Sequence, residues 1–96
     1  MPSPEQIVIA RKTFPDSGYC LCLERVIRHD ENGRIEYTFC WRKPDNGIIK
    51  NPAYFDWQWA GQLIRQAVTD GKLEINELEP FVRELISIPE LRLRSM

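Results

Sequence analysis

Apolar and polar residues alternate through most of the first half of the chain and recur every three to four positions through most of the second. The first period builds strands with two distinct faces, and the second builds helices with one apolar stripe. "QIVIARKTF" (6–14), "YCLCLERVIRHD" (19–30) and "RIEYTFCWRK" (34–43) carry the strand pattern. Between them stand "PDSG" and "DENG", both suited to type I turns. "PDNG" (44–47) ends the third run, and Ile48-Ile49-Lys50 offers a short fourth strand. The expected architecture is α+β: a three- to four-stranded antiparallel β-meander over residues 6–50, followed by two C-terminal helices packed on one face. Residues 1–5 are read as a flexible N-terminus, 56–70 and 77–88 as the helices, and 89–96 as a C-terminal tail.

The second hairpin predicts its own register. "DENG" has Asp at the first turn position and Gly at the fourth, which suits a three-residue loop closed by a left-handed glycine. Asp30 then stands opposite Arg34, Ile27 faces Tyr37, Leu23 faces Trp41, and Arg28 pairs with Glu36. One face collects Leu21, Leu23, Ile27, Tyr37, Phe39 and Trp41 for the helices. The other carries Cys20, Cys22, Val26, Thr38 and Cys40, rimmed by Glu24, Arg28, Glu36 and Arg42. Either Ile7 and Ile9 or Val8 and Ala10 join that second face from the first strand. A two-residue loop would scatter the apolar set over both faces. Arg25 breaks the pattern by landing opposite Phe39 on the apolar face. There its stem crosses the ring with the head in water, or its charge is kept for an anionic ligand.

On a helical wheel Ala60, Leu63, Ile64 and Ala67 share one stripe. Starting that helix at Asn51-Pro52 would put Asp56 inside the stripe, so Asp56 is read as the N-cap. Phe55 becomes a hydrophobic staple against Ala60, and Gly71 in "TDGK" a left-handed C-cap. Trp57 and Trp59 then flank the stripe, about 160° apart, while Tyr54 has no structural task. The second helix is expected to start at Asn76 or Glu79 with Pro80 in its first turn. Its stripe is Leu78, Val82, Leu85 and Ile86, and Pro89 stops it.

Composition narrows the function classes. The 96 residues are 43% hydrophobic and 10% aromatic, a globular balance that hides roughly 65% of the unfolded surface. Thirteen Lys+Arg against 14 Asp+Glu leave a net charge of −1, which predicts no strong field toward nucleic acid or an anionic membrane. No stretch approaches the ~18 apolar residues of a membrane span, and Met1-Pro2-Ser3-Pro4 has no hydrophobic signal region. A cytoplasmic protein is expected. The three cysteines agree: the number is odd, and Cys20 and Cys22 alternate along one strand, so reduced thiols are the simple reading.

No motif names a reaction. There is no G-x-S-x-G, no Walker loop and no G-x-G-x-x-G, and the one histidine, His29, lies beside a turn. No catalytic, cofactor-binding or metal site is expected. Cys20, Cys22 and Cys40 could share a face, but C-x-C is not the usual C-x(2–4)-C zinc spacing, and His29 falls on the other side. The expectation is a small non-enzymatic interaction or regulatory module that self-associates as a homodimer or binds another protein. The candidate interface is Cys20, Cys22, Val26, Thr38 and Cys40, an apolar centre with a charged rim. The alternating "LRLRS" near the C-terminus could add to an exposed sheet edge.

An alternative comes from topology. A four-stranded antiparallel meander followed by a helix resembles the layout of the transcriptional coactivators that bind single-stranded DNA. That resemblance implies that Arg25, Arg42, Lys43 and Lys50 track a backbone while Tyr54, Trp57 and Trp59 stack on bases. The near-zero net charge weighs against it.

Overall fold

The computed structural model describes residues 4–49 and 54–94, the side chains of 92–94 excepted. Three antiparallel strands, β1 (Glu5–Thr13), β2 (Cys20–Arg28) and β3 (Arg34–Arg42), form a meander in the order β1-β2-β3. Three helices follow: α1 (Trp57–Thr69), α2 (Ile75–Ile86) and the short α3 (Pro89–Arg94). The α+β meander with C-terminal helices is therefore the fold. Among the described residues there is no fourth strand. Ile48 makes one isolated bridge to Arg42, and the Ile49 N–H donates to the Trp41 carbonyl at 3.0 Å. Lys50 and the Asn51-Pro52 signal lie outside the described residues. The C-terminal "LRLR" is helical, so it does not add to a sheet edge here.

The β2–β3 register differs from the expected one by two residues. Ile27 stands opposite Ile35, Arg25 opposite Tyr37, Leu23 opposite Phe39 and Leu21 opposite Trp41. The connection is longer than three residues. It runs through a 3-10 turn at His29–Glu31 and then two left-handed residues, Asn32 (φ 57°) and Gly33 (φ 73°). The short-loop reading gave the left-handed conformation to Gly33 alone, but asparagine also tolerates it, and using both positions lengthens the loop. Because the offset is even, every β3 side chain stays on its expected face. The Arg28–Glu36 ion pair survives as a diagonal contact at 3.4 Å.

β1 resolves its ambiguous register with a bulge between Val8 and Ala10. One extra residue on the bulged strand re-aims the side chains after it. Ile9 (2% exposed) and Ala10 (5%) thus both enter the core, while Val8 stands opposite Glu24 and Arg11 opposite Cys22. Neither of the two expected pairs occupies the second face as a pair.

α1 starts at the expected cap: Asp56 Oδ1 accepts the Gln58 N–H at 2.7 Å. Ala60, Leu63 and Ala67 are buried, with Ile64 packed beside them. Burial of a side chain such as Leu63 stabilises the fold by roughly 1.5–3 kcal/mol. The helix ends in a Schellman motif, with Lys72 N–H on the Ala67 carbonyl (2.9 Å) and Gly71 N–H on Val68 (3.0 Å). Gly71 sits at φ 71°, where a Cβ would be strained. The chain emerges from this turn with Leu73 buried.

α2 begins earlier than its sequence suggested. Glu74 is the N-cap of a reciprocal capping box with Glu77, a pairing hidden from sequence because Glu is not a preferred cap. Pro80 therefore lies inside the helix, where it cannot donate to the Asn76 carbonyl. Pro89 stops α2 and opens α3 as well, since a first-turn proline gives up no hydrogen bond.

α1 lies over β1 and β2 and leaves the β3 side of the sheet less covered. No residue of α2 is fully buried. The Cα radius of gyration is 15.1 Å, against about 12.5 Å for a compact chain of this length. The second helix projects more than it packs.

Candidate functional site

The structure does gather Cys20, Cys22, Val26, Thr38 and Cys40 on one face, but the centre is not apolar. Glu24, expected on the rim, is 0% exposed at the middle of β2. Arg42 grips it in a two-pronged pair, Nη2 to Oε1 at 2.7 Å and Nε to Oε2 at 2.8 Å. The Cys40 thiol donates to Oε2, and Gln6 Nε2 reaches Oε1 at 3.3 Å. Arg11 and Arg42 also reach Asn46 beyond β3. These arginines roof the face, so Cys22 and Cys20 are buried by their own chain, while Val26, Thr38 and Cys40 are half-buried.

The electrostatics follow from this geometry. Burial alone would raise the Glu24 carboxyl, but the hydrogen bonds from Arg42, Cys40 and Gln6 and the arginine charge outweigh it and hold it below its ordinary value. Burial pushes the Cys40 thiol up to about 12, helped by its bond to Glu24. Cys22 is also raised, chiefly by burial. Thiols are nucleophiles and metal ligands only as thiolates, and these are held protonated. Among the described residues, no group of three His, Cys, Asp or Glu is placed to hold a metal ion.

The basic and aromatic candidates do not converge. Arg42 is committed to Glu24. Lys43 is exposed in the turn after β3, and Lys50 lies outside the described residues. Arg25 points to the helix side, donating to the Lys72 carbonyl at 2.8 Å and to Glu77 at 3.3 Å. Glu77 also accepts the Tyr37 hydroxyl and the Glu74 amide. These bonds, led by that from Tyr37, hold its carboxyl below the ordinary range. The residue that broke the sequence pattern is thus the anchor of α2. Trp59 seats α1, wedged against Phe14 (5.1 Å between ring centroids) and Trp41 (6.4 Å). Phe55 packs on Phe39 at 4.7 Å. Tyr54 and Trp57 are 79% and 84% exposed.

Trp57 stands at the mouth of a feature that sequence reasoning missed. Between β3, α1 and α2 runs an apolar groove of about 480 Å³. Its floor is Leu23 and Leu73, one wall is Tyr37 and Phe39, another is Ala60, Gly61 and Ile64, and the third is Leu78, Phe81 and Leu85. Glu77 alone is charged in this lining, and it is held by Arg25. Gly61 has nothing within 4 Å of where a Cβ would be, although glycine weakens a helix interior. A usable signal was present: α2 carries six apolar residues on one broad arc, more than a single contact with the sheet can cover.

Among the described residues no helix is long and apolar enough to cross a membrane. Compared with family models, with curated proteins and with solved structures, the chain has no significant match.

Proposed function

We propose that the protein is a small non-enzymatic interaction or regulatory module whose contact surface is the groove between β3, α1 and α2. The observation that carries this reading is the apolar edge left open there: Trp57, Phe81 and Leu85 keep 84%, 50% and 37% of their surface exposed around a pre-formed concavity. Exposed apolar surface in one contiguous patch marks an interface, and aromatic anchors are the residues that contribute most at one. The cysteine-bearing face supports the reading less, since its centre is filled by its own ion pair. Its free thiols suit the reducing cytoplasm, which is the proposed compartment.

The test is the size of the tagged protein in native lysate, by sedimentation, with and without nuclease. The complex is expected to persist under nuclease and to collapse to the monomer in Phe81→Asp. A complex that nuclease dissolves, or that ignores Phe81→Asp, refutes the groove.

A further inference from the structure

Taking the groove as the contact surface, we infer that its occupant is a second copy of this chain, whose α2 lies antiparallel across this α2 with Val82 near the two-fold axis. On a helical wheel Ile75, Leu78, Phe81, Val82, Leu85 and Ile86 form one continuous arc of about 140°. The anchor at Glu77 turns one margin of that arc toward the groove. The other margin stands in solvent, with Ile75 68%, Val82 46% and Ile86 50% exposed. An amphipathic helix open on both margins is covered by something that lies along it.

Three observations favour a second copy over a different partner. The first is spacing. Ile75, Leu78, Val82 and Leu85 recur at steps of three, four and three, with β-branched residues alternating with leucines, the pattern of a helix that packs on a like helix. Reversed about Val82, the row Leu78-Val82-Ile86 is self-complementary, because Leu78 meets the partner's Ile86 and Val82 meets its own equivalent, whereas Leu85 falls opposite Glu79 and Ile75 opposite Pro89 at the ends. A two-fold interface requires that property.

The second is charge. Two carboxylates that border the arc are paired within the chain, Glu77 with Arg25 and Glu79 with Arg83, while Glu74 at its start is held by the capping box. At those paired margins a surface of the same kind meets no strong repulsion.

The third is area. The exposed apolar residues from Ile75 to Leu91, with Trp57 and Tyr37, offer on the order of 800 Å², taking roughly 150–250 Å² for a fully exposed large side chain. A standard interface covers about 800 Å² per partner. Gly61 adds a consistent detail, since a bare stretch of α1 in the groove lets another helix approach closely.

Val82→Cys with oxidised glutathione tests the arrangement. Two equivalent thiols at the axis each lose a proton and an electron to the glutathione disulfide, and a bond forms between copies. On a non-reducing denaturing gel the variant is expected to run mostly as a reducible dimer, while Glu84→Cys, on the outer face of α2, runs as the single chain. A mixture of Leu78→Cys and Ile86→Cys should cross-link more than either alone, which keeps the test independent of one variant's folding. Wild type should sediment as a dimer at high micromolar concentration. A wild-type monomer there overturns the second copy while leaving the groove to its own lysate test. A dimer that Val82→Cys and the mixture both fail to cross-link overturns the antiparallel arrangement.

Discussion

On one face of β2, Glu24 is wholly buried although none of the described helices lies above it. On the other, Leu23 is equally buried beneath helices, yet the nearby ring of Trp57 stands in solvent. The first face closes itself with long side chains: Arg42 and Arg11 span the strands and satisfy what they cover. The second uses secondary structure, and one helix is not wide enough for the sheet. Long charged side chains thus seal a three-stranded surface that two short helices leave partly open. Polar character in sequence did not mean a wet face, and apolar character did not mean a finished core.

The comparison breaks most visibly at Arg42. Arg42→Met leaves a buried carboxylate without its partner, a loss of about 3–5 kcal/mol, which is a large part of the ~5–15 kcal/mol that holds a domain together. Urea denaturation measures it, and the double variant Glu24→Leu/Arg42→Met should recover most of the loss. If Arg42→Met is as harmless as an exposed substitution, the face is not sealed in the way described.

Acid titration sharpens the contrast. Glu24 and Glu77 both sit below their ordinary value when folded. The stability they contribute is present above the unfolded carboxylate value of about 4.3 and is lost as pH falls through the folded values. Glu24→Gln should flatten the acid limb of stability against pH more than Glu77→Gln, because Glu24 is buried and Glu77 only borders the groove. Equal flattening would mean that the two faces differ less than their burial suggests.

The smallest effect has the opposite sign. In the monomer, at low protein concentration, Gly61→Ala should raise thermal stability, by about 0.5–1 kcal/mol, since the new methyl meets only open space and glycine is a poor helix former. A loss in a thermal melt would show that the groove wall at Gly61 is already in contact.

These two regions were unequally legible. The apolar face of the hairpin was readable because side-chain parity survives an even register error, so Leu21, Leu23, Phe39 and Trp41 point to the helices under either loop. The cap at Asp56 was readable because only that start keeps a carboxylate out of the stripe. Glu24 was misread as rim because its burial depends on Arg42 folding over it, a long-range event no local pattern records. The bulge after Val8 and the Glu74 cap are local, but each breaks the usual preference. The groove is hinted at only by the width of the α2 apolar arc, since it is defined by where α2 stops packing, and Arg25 and Glu77, which set that point, are far apart in the chain.

Pro80 gives α2 two unequal halves. Its missing amide interrupts the ladder one turn after the capping box and the Arg25 clamp, so the first turn is pinned at several points. Beyond it, Phe81 to Ile86 are tied back mainly by the Arg83–Glu79 pair and by Phe81 and Leu85 in the groove wall, in a helix too short to persist on propensity alone. That half is expected to open before α1 does, fraying back from Ser87 to the proline. If it does, whatever settles on α2 also orders that segment, and its affinity is reduced by the entropy of that ordering.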